Sequence, residues 1–275
     1  MARQTLDQIE EKEMSFIDHL EALRWHIVRS VLAVLVFTIV AFIYIEDVFT
    51  FLLGPGRTDF WTYRMLCKYF NMCPKNMGFT LQNTDMAGQF TQSISMAFYV
   101  GLSIAFPYAV WEIWRFFKPA LSRKERNYAK GVVFFSTILF MSGLTLGFYI
   151  ITPITVQFLG SYRISSMVEN RINLESFLDT ITMMTFSTAI TFELPIVIYF
   201  LTLIGFVSPK FMRKYRRHAI LVSLILSAVI TPSTDMTSML VLAIPFIFLY
   251  EFSILVSAFV VKRKERRERK TNINN

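Results

Sequence analysis

The chain is short of the side chains that most chemistry needs. Among 275 residues it has three histidines and two cysteines. His19, His26 and His218 stand at no metal-ligand spacing with acidic or cysteine partners, and no P-loop, G-x-S-x-G or H-E-x-x-H pattern occurs. The expectation is a chain that is not an enzyme and uses no metal or cofactor. There is no convincing internal repeat of the kind common in secondary transporters. Charge is also missing where the apolar runs are longest. Ile181–Phe206 holds 26 residues without a lysine, arginine or aspartate. At about 1.5 Å per residue it reaches about 39 Å, beyond the ~30 Å hydrocarbon core of a bilayer. The first twenty residues, MARQTLDQIEEKEMSFIDHL, lack an apolar signal-peptide core, so the first hydrophobic segment is expected to act as its own insertion signal.

What is present is apolar bulk. The composition is 54% hydrophobic, with 28 phenylalanines and a mean hydropathy of +0.46. That excludes an ordinary soluble domain and predicts an all-α polytopic membrane protein. Residues 1–30 read as a cytoplasmic N-terminal segment. Within it Phe16, Leu20, Leu23 and Ile27 make one amphipathic face. A transmembrane domain follows over residues 31–261, with expected spans at 31–45, 94–117, 132–151, 181–206, 219–231 and 239–261. The third span is expected to stop at Pro153, and the fifth is only about 20 Å long as a helix. Residues 46–90 read as a cap loop with short helical pieces near 49–53 and 60–70. Residues 262–275 form a basic tail suited to anionic lipid.

Basic residues orient this arrangement. With six spans and both termini inside, 22 of the 28 lysines and arginines fall on the cytoplasmic side. The outer loops hold the other six, as the positive-inside rule requires. Cys67 and Cys73 then face an oxidising compartment, as a disulfide or as two thiols.

Two sets of acids draw attention. Glu193 sits mid-span with Pro195 two positions on, either a protonated structural group or a functional site. Glu21, Glu112 and Glu125 lie near the basic side, where carboxylates suit a cationic peptide. The structural alternative is local pairing, Glu21 with Arg24 and Glu125 with Arg123 or Arg126.

SFIDHLEALRWHI, FFKPALSRKER, FELPIVI, ITPSTD and LAIPFIFLYE occur in this order along the chain. Through them the chain resembles TatC, the multi-spanning core subunit of the twin-arginine protein translocase, over about residues 14–262. The resemblance implies six helices in a concave, glove-like arrangement whose last two spans are short. It implies a receptor for twin-arginine signal peptides of folded cargo in the bacterial cytoplasmic membrane. Implied partners are single-span subunits of the TatA and TatB kind, the lipid bilayer and further copies of this chain within the full complex; transport draws on the proton-motive force. By position, Leu23, Arg24, Phe116, Pro119, Glu125 and Arg126 match the family's signal-peptide motifs, with Glu21 assisting. Glu193, Pro195 and Asp235 match its intramembrane polar positions, and Pro55 a structural proline. The chain departs from the pattern at Ala22, where the family has glutamate, and at Phe148, where a tyrosine is expected. A proton-coupled transporter using Glu193 is the alternative from another class, and a scaffold without a receptor role is a third reading.

Overall fold

The structure, a computed structural model, describes residues 16–71, 77–118, 131–163, 165, 169–231 and 236–273. Side-chain surroundings are described for these except 16–20, 70, 264 and 267–273. Helix α1 spans Phe16–Ile43, α2 Ile45–Leu52 and α3 Trp61–Phe70. Strand β1 (Phe79–Gln82) precedes α4 (Gly88–Phe117) and α5 (Val132–Leu146). A π turn, Gly147–Ile151, leads into α6 (Thr152–Ser161). Strand β2 (Asn170–Asn173), α7 (Leu174–Thr191) and α8 (Leu194–Leu203) follow. The chain then forms α9 (Pro209–Lys214), α10 (Arg216–Ile230) and α11 (Met236–Ile273).

Among the described residues, five helical segments are long and apolar enough to cross a bilayer. They are Glu21–Ile43, Gly88–Phe117, Val132–Ser161, Leu174–Leu203 and Met236–Arg263. The expected fifth span corresponds to α10, whose 15 residues reach about 22 Å. The last helix is not short. It runs 38 residues, because the basic tail continues the helix of the apolar segment without a break.

Helix α1 is one unbroken element rather than a surface helix joined to a separate span. No glycine or proline interrupts Phe16–Ile43. It packs mainly on α4. There Ala97, Gly101 and Ala105 recur every four residues, and both alanines are fully buried. A Cβ on Gly101 would stand 2.5 Å from the Thr38 backbone nitrogen, so this crossing requires glycine. The interface of α5 with α7 uses the same device. Gly143 abuts Ala189 and Gly147 abuts Thr185, with added-Cβ distances of 2.7 and 2.9 Å.

Pro153 does not end the third span. It falls in the first turn of α6, where a missing N–H is tolerated, and the π turn carries the chain into it. Pro153 offers no N–H to the Tyr149 carbonyl four residues back. The Thr62 hydroxyl, from α3, donates to that carbonyl instead. One residue on, the Tyr63 hydroxyl lies 2.9 Å from the carbonyls of both Pro55 and Pro153 and shares its one proton between them. Tyr63 is 1% exposed, and burial pushes its ionisation well above the usual phenol range. Around it Phe60 stacks on Tyr149 and Phe51 on Phe148. This apolar setting accepts phenylalanine at 148 without a hydroxyl.

The cap is therefore docked onto the membrane helices. Leu52, Met96, Phe148, Val156, Phe177, Leu178 and Ile181 form the core beneath it. The all-helical expectation missed β1 and β2, which pair in parallel from Phe79–Asn170 to Gln82–Asn173. β1 reads FTLQ, an apolar–polar alternation only four residues long, and β2 reads NRIN with a single apolar residue, so neither stands out in the sequence.

The fourth span begins seven residues earlier than expected, at Leu174, and is broken at Phe192–Glu193. Pro195 in the first turn of α8 has no N–H for the Thr191 carbonyl, which explains the break. The span ends at Gly205, φ +86°, where Phe206 N–H bonds Leu201 and Gly205 N–H bonds Thr202 in a left-handed cap.

Tyr63→Phe keeps the ring and strips both prolyl carbonyls of their donor. We expect a loss of about 1–3 kcal/mol, read as a lower thermal midpoint of the purified protein in detergent. An unchanged midpoint would show that the tie between the cap and α6 contributes nothing.

Candidate functional site

The first candidate site lies where α1 meets the far end of α4. These helices run antiparallel, with Thr38 facing Gly101 and His26 facing Glu112. Glu112 is 1% exposed. Its Oε2 bonds Nδ1 of His26, and its Oε1 accepts from the Tyr108 hydroxyl at 3.0 Å and Arg115 Nη1 at 3.3 Å. Arg115 also lies over the Trp111 ring at 4.8 Å. A carboxylate this buried is tolerated because three donors surround it.

The expected recognition residues approach this cluster from two sides. Phe116 meets His26 edge-on at 6.3 Å between ring centres. Leu23 is half-buried, while Arg24 and Glu21 are exposed. Among the described residues no ion pair joins Glu21 to Arg24, so the local-pairing alternative does not hold for Glu21. Ala22 lies one turn before His26 on the same face of α1. Glu112 thus brings a carboxylate from α4 to the face that lacks one at position 22. Sequence reasoning noted Glu112 as an acid but not this pairing. A lone histidine and a lone glutamate near the same end of consecutive spans were the available signal. Pro119, Glu125, Arg126, Asp235 and Cys73 lie outside the described residues, as do residues 1–13. Cys67, in α3, is disulfide-bonded.

The second candidate site is Glu193, at the break between α7 and α8. Ser136 on α5 is buried and donates to its Oε2 at 2.6 Å. Oε1 is also buried and has no hydrogen-bond partner among the described residues. Pro195 is buried beside it. The remaining structural expectation, Pro55, is buried in the 3-10 turn Gly54–Gly56 and supplies a carbonyl to Tyr63. Glu193 and the Glu112 cluster sit on different helix pairs and do not form one site. Among the described residues no group of three or more metal-ligating side chains occurs.

Comparison with known proteins fits this geometry. The profile of the family described as Sec-independent protein translocase protein (TatC) matches residues 18–245. The chain belongs to the TatC family. It is 40% identical to the Sec-independent protein translocase protein TatC of Blattabacterium sp. subsp. Periplaneta americana, over 93% of this chain and 99% of that one. The TatC of Koribacter versatilis is 32% identical over 98% and 93% of the two chains. The chloroplastic protein of Arabidopsis thaliana is 30% identical over 92% and 68%. A crystal structure of the twin arginine translocase receptor TatC superposes with a TM-score of 0.71 at 25% identity, covering 88% of this chain and 99% of that one. The transporter alternative finds no support in these relatives.

A double-mutant cycle tests the TatC helix pair described above. His26→Leu leaves Glu112 buried with one donor fewer, and we expect a loss of about 3 kcal/mol. His26→Leu with Glu112→Leu recovers part of it, measured by unfolding in detergent. Simple additivity would mean that the two side chains are not coupled.

Proposed function

We propose that this chain is the receptor subunit of a twin-arginine translocase, recognising twin-arginine signal peptides and passing folded cargo to single-span TatA- and TatB-type partners. The observation that supports this reading most is the agreement in sequence and fold with a translocase receptor over nearly the whole chain. The reading places it in the bacterial cytoplasmic membrane, both termini cytoplasmic, with six spans of which α10 is the short fifth, and transport driven by the proton-motive force. In that orientation residues 1–30 and the tail 262–275 flank the transmembrane domain 31–261, and the cap 46–90 lies on the outer side, where Cys67 pairs with Cys73.

The signal peptide's arginine pair docks at the end of α1 and α4. Glu125 accepts a guanidinium in bidentate fashion, and Glu21 stands exposed on α1 to assist. Leu23, Arg24, Phe116, Pro119 and Arg126 shape the surface around them. Glu112 places a carboxylate on the face that carries Ala22, where it is already shared with His26, Tyr108 and Arg115. The peptide's apolar segment then lies along the concave face. Glu193 offers its unpaired Oε1 to a polar group on a partner helix, with Pro195 holding the break open and Asp235, just before α11 in sequence, as the other intramembrane polar position. The buried, unpartnered oxygen supports this role, since such an atom in lipid is unfavourable until a donor arrives.

Binding of a fluorescent twin-arginine peptide to the chain in nanodiscs tests the receptor reading, with a twin-lysine peptide as control. Arginine should be preferred, and Glu125→Ala should weaken binding at least about tenfold, the loss expected for a charge-assisted hydrogen bond. Glu112→Gln, which keeps the shape and removes the charge, should weaken it less. Equal binding of both peptides would refute recognition by this chain, and an unchanged affinity in Glu125→Ala would refute that residue's role.

A further inference from the structure

A cleft of about 550 Å³ opens between α5, α8 and α11. Its walls are apolar, from Phe135 and Leu139 on α5, Ile196 on α8, and Leu255 and Phe259 on α11. Arg263 is the charged residue in the lining. Phe135, Leu255 and Phe259 are exposed, so the described residues do not fill the space. The closed side is held where Thr202 donates to Ser257 at 2.9 Å and Leu203 packs on Val260.

Shape decides what fits. On α11 the lining runs from Phe252 to Arg263, about 16 Å along the helix. An extended acyl chain can lie along that length against Phe135, Leu255 and Phe259.

Charge decides which lipid. A hydrocarbon tail gains little by leaving the bilayer for an equally apolar cleft, so preference must come from the headgroup. Arg263 stands where the apolar run of α11 becomes the basic tail, with Lys262 and Arg266 exposed beside it. A guanidinium has five donors and can share them with a phosphate. Basic pockets between membrane helices hold anionic headgroups in this way.

We propose that this cleft is a binding site for one anionic glycerophospholipid, with an acyl chain along α11 and its phosphate at Arg263. Native mass spectrometry of the full chain released from detergent tests it, using phosphatidylglycerol and phosphatidylcholine of identical acyl chains. The wild type should retain phosphatidylglycerol several-fold over phosphatidylcholine. Arg263→Gln should abolish the preference and Arg263→Lys should keep it. Leu255→Trp, which fills the cleft, should lower retention of phosphatidylglycerol. Equal retention of the two lipids by the wild type would overturn the proposal. So would a preference that survives both Arg263→Gln and Leu255→Trp, since the lipid would then sit elsewhere. No signal peptide enters the measurement, so its outcome is independent of the receptor reading.

Discussion

A bilayer gives backbone carbonyls no water to bond, and this fold depends on how it answers that constraint at its prolines. At Pro153 the answer comes from outside the helix: Thr62 bonds the Tyr149 carbonyl, and Tyr63 ties the carbonyls of Pro55 and Pro153 together. The cap is thus a hydrogen-bonded closure for the third span, and its aromatic rings pack around that closure. At Pro195 the helix instead breaks, and the break holds a carboxylate whose second, buried oxygen has no partner among the described residues. One defect is closed by its neighbours, while the other leaves a buried carboxylate oxygen without a donor among the described residues.

The helix pairs are brought close by small residues and fixed by polar ones. Gly101 between Ala97 and Ala105 lets α1 lie on α4, and the His26–Glu112 pair fixes their register near one end. Gly143 and Gly147 do the same for α5 against α7, with Ser136 bonding Glu193 nearby. In lipid, apolar side chains give helices little reason to prefer each other over the solvent. Close backbone approach and buried hydrogen bonds therefore carry the specificity. The two candidate sites coincide with these two polar fixings of helix register.

Much of this was legible in the sequence, and the reasons differ by element. The long apolar runs at Gly88–Phe117 and Leu174–Leu203 announce themselves by composition, and the 15-residue α10 by its shortness. The cap helices follow from local periodicity. Pro153 misled because a proline reads as a stop unless the π turn before it is known. The β1–β2 pair was invisible because its stability comes from segments nearly ninety residues apart. Glu193 was found because a lone charge in an apolar span is conspicuous. The bond from His26 to Glu112 was not found, because sequence shows two polar residues and only the antiparallel packing of α1 on α4 shows that they meet. The Gly143-x-x-x-Gly147 spacing carried a signal for the α5–α7 contact that composition alone did not.

The sparse packing of α1 has a consequence for how the protein is made. Only 6% of its apolar window is buried, its main contact is α4, and its mean hydropathy of 2.3 exceeds the 1.5 of α4. During synthesis α1 leaves the ribosome about seventy residues before the whole of α4 exists. A surface this apolar can enter the bilayer and stay there on lipid contact alone. The less apolar α4, carrying Glu112, then inserts beside a helix already in place, with His26 waiting at the matching depth. The order of the chain is an assembly order, in which the helix that needs least help comes first.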